Sequence, residues 1–185
     1  MWSDEKTSFA GQHYQTEAAQ RAANLPEGPL PSILIGGGGP RMLRLAGRHA
    51  DIVGITAKVD QGKVTPETAR DVTPDRILAK IASIREGAAQ AGRDPQAIEL
   101  STLTFVCAIT DDPKPLREAL SRNTGMSVEE VADCPLFITG SGSEIRERLE
   151  RQREQTGISY VVIQGGDFAL VERFAEEVVA PLAGR

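Results

Sequence analysis

"SILIGGGGPRMLRLAGRHADIVGI", residues 32–55, decides how the rest of the chain is read. Ile33, Leu34 and Ile35 form a short apolar run of the kind that makes a strand buried on both faces, and they lead straight into four glycines. Pro40 then stands at a first helical position, where its missing N–H costs nothing. Met42, Leu43, Leu45 and Ala46 supply an apolar face at helical spacing, and residues 50–55 follow as a second apolar strand. A strand, a glycine turn, a helix and another strand in that order predict a parallel βα unit.

The pattern continues outward. Residues 57–72 form a polar insertion too long for an ordinary strand-to-helix loop. A helix is expected from Thr73 and Pro74, with Thr73 as N-cap, Ile77, Ile81 and Ile84 on one face and Gly92 as its stop. Residues 97–110, AIELSTLTFVCAIT, read as the third and longest strand, rich in β-branched residues. Residues 113–123 and 127–132 look helical, and 135–141 form either a short strand or a loop. Ser141 or Ser143 caps a charged helix reaching 155, residues 158–163 are the fourth strand, and 168–179 a closing helix. This makes four βα units in an α/β protein with a parallel sheet, either open and doubly wound or half of an eight-stranded barrel. Residues 1–30 show no sustained periodicity, and NLPEGPLP (24–31) places three prolines in eight positions. We expect an arm over 1–30 and one domain over 31–185.

Composition narrows the function. With 21 Lys and Arg against 26 Asp and Glu, the net charge is −5 and no basic cluster follows a phosphate backbone, so nucleic acid is not an expected partner. Cys107 and Cys134 form no CxxC pair and lie in apolar sequence, which fits a reduced, cytoplasmic setting without a disulfide framework. The opening residues lack a basic and then apolar leader, and no run of about 18 apolar residues occurs, so no membrane association is expected.

The four glycines admit two readings. The N–H groups at a helix mouth are unpaired and, with the positive end of the helix dipole, favour an anion. Glycine lets an oxygen ligand approach those amides with no Cβ in the way, so Gly36–Gly39 read as a phosphate cradle. The alternative is a tight turn that needs glycine only for its backbone angles. Dinucleotide and Walker signatures both fail: a GxGxxG from Gly36 or Gly37 would need glycine at Arg41 or Met42, and no lysine follows.

The glycine segment with RHAD (48–51), followed by GRDPQAIELS (92–101) and GSGSEIRERLERQREQTGISYVVI (140–163), resembles the C-terminal part of the luciferase-like flavin and deazaflavin oxidoreductases, in particular those using coenzyme F-420. The resemblance runs over nearly the whole chain. It implies a TIM-type (β/α) barrel, of which these four strands are similar to strands five to eight, with Met1 inside the connection before strand five. It further implies that the loop after Ile35 is the cofactor phosphate site, with Gly36, Gly37, Gly38, Gly39 and the amide of Arg41 as donors, and that the cofactor is F-420 or, alternatively, FMN. A whole barrel of this kind takes roughly 250 residues. Most ring contacts and much of the catalytic chemistry would then lie outside this chain, and no catalytic residue is assigned.

Other candidates carry competing readings. Thr56 and Lys58 follow the second strand, where sites of barrel enzymes are built; the resemblance implies a role in binding substrate phosphate, against an ordinary exposed loop lysine. His49 at a helix end suits capping of last-turn carbonyls. His13 has no partner at a metal-ligand spacing, so no metal is expected. Trp2, Phe9 and Tyr14 could reach a ligand or cover a neighbouring surface. Cys107 reads as a small buried hydrophobe. Gly165 and Gly166 form either a second anion niche or a tight turn, and residues 144–154 a solvated outer helix.

The expected function is therefore part of a luciferase-like oxidoreductase, with hydride transfer between a reduced cofactor and a small organic substrate. Completion of the barrel is expected by association, either with a second copy in a homodimer or with a separate N-terminal half-barrel chain, because a four-stranded sheet has two open edges. The alternative is a non-catalytic half-barrel binding or assembly module, a truncated or degenerate relative.

Overall fold

A computed structural model describes residues 6–20, 30–58 and 66–183, and its chain divides into two units, Met1–Ser32 and Ile33–Arg185. In the first unit β1 (Lys6–Ala10) and β2 (Gln15–Gln20) form an antiparallel hairpin with a register break between Thr7 and Phe9. The arm expected over 1–30 thus contains a hairpin that the absence of sustained periodicity did not announce. The turn closes through the Gly11 amide on the Tyr14 carbonyl, and Ser8 Oγ accepts from the Ala18 amide, so backbone pairing makes a hairpin where side-chain alternation gives no sign of one. Phe9 and Tyr14 are exposed, and Trp2 and most of the proline-rich stretch lie outside the described residues.

The second unit holds a parallel sheet of β3 (Leu34–Gly37), β4 (Ile52–Ile55), β5 (Glu99–Thr104) and β8 (Ile158–Ile163), in the spatial order β3-β4-β5-β8. A separate parallel pair joins β6 (Val106–Ile109) to β7 (Phe137–Gly140). The expected long third strand is thus divided at Phe105. Up to Thr104 it pairs with β4 and β8; beyond it, the Phe105 and Val106 amides both donate to the Leu136 carbonyl and the chain takes β7 as its neighbour. Buried Thr104 fixes the change through Oγ1, 2.8 Å from the Pro135 carbonyl.

Helices α1 (Pro40–His49) and α3 (Pro74–Gln90) cover one face of this sheet. Leu43 and Ala46 from α1, and Ile77, Ile81 and Ile84 from α3, join Val53, Ile55, Leu100 and Ile158 in one cluster. The two helices cross at glycines: a Cβ on Gly47 would overlap the Ile84 carbonyl, and one on Gly87 the Arg44 carbonyl, so backbone meets backbone. A short α2 (Pro66–Arg70) precedes α3. After β6 come α4 (Lys114–Thr124) and α5 (Val128–Asp133). Then α6 (Gly142–Thr156) follows β7, and α7 (Phe168–Phe174) continues through a π turn (Ala175–Val179) into α8 (Ala180–Leu182). Both α5 and α6 begin with a reciprocal capping box, Ser127 with Glu130 and Ser141 with Glu144. The stretch 135–141, open between strand and loop in the sequence, contains strand β7.

The opposite face of the sheet carries Leu34, Gly36, Ile52, Gly54, Ser101, Leu103, Tyr160 and Val162, as the register pairs Gly36 with Gly54, Gly54 with Ser101 and Ser101 with Tyr160. Leu34 is 51% exposed and Tyr160 39%, so at its outer strands this face lies uncovered among the described residues, whereas Ser101 between them is buried. The sheet does not close, since β3 and β8 are both edges there.

Candidate functional site

The glycine segment is not a loop of four. Gly36 and Gly37 belong to β3, in register with Gly54 and Ile55, and only Gly38 and Gly39 form the turn into α1. None of the four has positive φ, although six other glycines among the described residues do. Unusual backbone angles therefore do not explain the run, and lack of space applies only at Gly37 and Gly38. A Cβ on Gly38 would overlap the backbone of Ala57 and Lys58, and one on Gly37 would press on Met42 Cγ, whereas one on Gly39 would meet nothing within 4 Å. Gly38 lets two loops touch, and Gly39 faces open space.

At this mouth of α1, Gly39 is the N-cap residue with φ −88° and ψ 150°, has no side chain to cap with, and is followed by Pro40 at N1. Its carbonyl accepts from the Leu43 amide at 3.0 Å. Among the described residues no acceptor meets the amides of Gly39, Arg41 or Met42. Three N–H groups at the positive end of a ten-residue helix are thus open to an anion. Gly39, Arg41, Met42, Arg44, Arg48 and Lys58 border an open groove of about 760 Å³ beside them.

Thr56 and Lys58 come to the same place, at the C-terminal end of β4. The Thr56 amide donates to the Gly37 carbonyl at 3.0 Å, and the Lys58 amide to Asp71 Oδ2 at 2.6 Å. The remaining insertion residues, 59–65, lie outside the described residues. All seven candidate positions therefore gather at the C-terminal ends of β3 and β4, the end at which barrel folds build their sites.

Two residues of this assembly were not singled out from the sequence. Lys80 of α3 is 6% exposed, and its Nζ lies 2.5 Å from the Gly38 carbonyl and 2.7 Å from Asp71 Oδ2. One carboxylate thus holds both the buried ammonium and the Lys58 amide. A signal was present: Lys80 sits three residues after Ile77 and four before Ile84, inside the apolar stripe, where a lysine is out of place.

Other candidates resolve into structure. Asp51 of the RHAD motif accepts the Ile33 amide at 2.8 Å and lies 3.7 Å from Arg93, which also donates to the Gly47 carbonyl. The niche at Gly165 and Gly166 is a turn: both have positive φ, and Asp167 Oδ1 already accepts the Leu170 amide at 2.8 Å. Cys107 packs beside Ile109, Ile138 and Ile145, and burial raises its thiol pKa. Burial likewise pushes the Cys134 thiol up to about 11 and the Arg148 guanidinium down to about 10. Arg148 donates to the carbonyls of Phe137 and Cys134 and so joins α6 to β7 and the end of α5. Among the described residues, no group of three or more His, Cys, Asp or Glu is placed to hold a metal ion, and no helix is long and apolar enough to cross a membrane.

Comparison with known proteins follows the same line. A family model described as luciferase-like monooxygenase matches residues 1–157. An F-420-dependent glucose-6-phosphate dehydrogenase of Nocardia farcinica is 33% identical over 99 residues, 54% of this chain and 25% of that protein. One from Nakamurella multipartita is 36% identical over 104 residues, 56% of this chain and 26% of its own length. Among solved structures, an F-420-dependent secondary alcohol dehydrogenase holding an F-420–acetone adduct superposes with a TM-score of 0.67 at 19% identity, covering 97% of this chain and 57% of that one. The coenzyme F-420-dependent tetrahydromethanopterin reductase of Methanopyrus kandleri gives 0.64 at 20%, covering 94% and 57%. At these identities the structural likeness shows the fold. The chain spans about a quarter of the curated relatives it matches and little more than half of these solved chains. With a family model covering most of its length, the chain belongs to the luciferase-like monooxygenase family.

Proposed function

We propose that this chain is the part of a flavin- or deazaflavin-dependent oxidoreductase that holds the cofactor's phosphate, with coenzyme F-420 as the cofactor and FMN as the alternative. The observation that carries this reading is the mouth of α1, where the Gly39, Arg41 and Met42 amides are unpaired among the described residues and a Cβ on Gly39 would meet nothing within 4 Å. A phosphate ester fits such donors, being dianionic and rich in acceptors. In register on this sheet face, Gly36, Gly54 and Ser101 are all small, which keeps side-chain bulk low beside the phosphate. When bound, the cofactor would supply hydride chemistry toward a small organic substrate. The chain's own part is to bind and orient: Gly38 and Gly39 shape the cradle, Arg41 adds positive charge at its rim, and Thr56 and Lys58 stand where a substrate would meet it.

The uncovered face and the open edges of β3 and β8 support a barrel completed by a second copy or by a separate N-terminal half-barrel. The same features suit a half-barrel module that binds a partner without catalysis. Fluorescence titration with F-420 and FMN separates the two. Saturable binding of either supports the cradle, and no binding of either, alone or with a complementing half-barrel, favours the module.

A further inference from the structure

Lys80 is placed where an apolar side chain would cost less. Desolvating an ammonium costs several kcal/mol, and a buried ion pair seldom recovers more than a well-packed hydrophobe provides. The ammonium nevertheless reaches from α3 to one carbonyl, that of Gly38. In a trans peptide the C=O of one residue and the N–H of the next point in opposite directions. Holding the Gly38 carbonyl inward on Lys80 Nζ therefore turns the Gly39 N–H outward, and that N–H is one of the cradle donors that meet no acceptor among the described residues. Two glycines in sequence are otherwise free to rotate this peptide. Asp71 completes the clamp, since it receives Lys80 Nζ at 2.7 Å and the Lys58 amide at 2.6 Å, and the Ala57–Lys58 backbone is what Gly38 packs against.

We propose that the Lys80–Asp71 pair is a positioning device that fixes the direction of the Gly38–Gly39 peptide and so aims the Gly39 amide at the phosphate of the bound cofactor. It rests on the cradle reading above. Neither residue touches the ligand; both act through the loop.

The test uses FMN and riboflavin, which differ only in the phosphate, with dissociation constants read from flavin fluorescence for the wild type, Lys80→Met and Asp71→Asn. The wild type is expected to prefer FMN. Lys80→Met should lower that preference by about tenfold, the loss of roughly one charge-assisted contact, while the riboflavin constant stays within about twofold. A merely structural lysine would lower the melting temperature and the binding-competent fraction for both ligands alike, leaving the ratio unchanged; an unchanged ratio overturns the proposal. Should Lys80→Met fail to fold, Asp71→Asn decides by the same ratio. In glycine-labelled protein the Gly39 amide resonance, assigned through Gly39→Ala, should shift on adding FMN to the wild type and not to the variant; an equal shift in both also overturns it. A wild type that binds FMN and riboflavin equally would instead remove the cradle reading itself.

Discussion

A methyl group at Gly38 and one at Gly39 should have opposite consequences, although the two residues are neighbours of identical type. At Gly38 the Cβ would overlap the backbone of Ala57 and Lys58, which cannot move as a side-chain end can. Gly38→Ala is expected to destabilise by about 1–3 kcal/mol, the usual range for overpacking, as read from the denaturant midpoint. Gly39 has φ −88° and open space, so Gly39→Ala should leave the midpoint within about 0.5 kcal/mol while weakening FMN or F-420 binding, because the methyl stands where the phosphate would approach. At this scale the sequence was partly legible. Four glycines before a proline marked the place, but which of them serve the strand, the loop contact and the open mouth followed from register with Gly54 and Ile55 and from the nearness of residues 57–58. Asp51 and Arg93 stood within segments that carry the family resemblance and prove to hold strand and helix ends together.

Between elements, the α1–α3 crossing gives a sign reversal that can be measured. Alanine for glycine inside a helix ordinarily gains about 1 kcal/mol from propensity. At Gly47 and Gly87 the added Cβ would overlap carbonyls of the opposing helix, a clash of about 1–3 kcal/mol or more that outweighs the gain. Gly47→Ala should therefore lower the denaturant midpoint. The N-terminus of α6 supplies a pH test. Hydrogen bonds from the Ser141 backbone amide and then its hydroxyl hold the Glu144 carboxyl below its ordinary range. A depressed folded pKa contributes stability above the unfolded value and loses it as the pH falls through the folded one. The stability difference between wild type and Glu144→Gln should accordingly be present at neutral pH and vanish in acid. Its size is small, because the group is exposed and solvent screens it.

For the whole molecule, the uncovered face predicts association. Leu34 and Tyr160 are large, exposed and in the same sheet face, and the edges of β3 and β8 each offer a row of backbone groups for another strand. Light scattering should give a mass above that of the 19.9 kDa chain, alone or mixed with a complementing half-barrel. Leu34→Asp should return it to the monomer with an unchanged far-ultraviolet circular dichroism spectrum. A wild-type chain that stays monomeric under both conditions would remove association from the account.

The order of the main strands and helices after residue 31, the parallel α/β character, the helix starts at Pro40, Thr73 and Ser127, and a start at either Ser141 or Ser143 were determined by the sequence itself, because each depends on local chemistry: apolar runs, turn glycines, caps and helical spacing. The hairpin of β1 and β2, the division of the long strand at Phe105 and the clamp of Lys80 on Gly38 were decided only by tertiary structure. Each of these depends on which backbone groups meet across the fold. Lys80 and Gly38 are 42 residues apart, and no local pattern records that they touch.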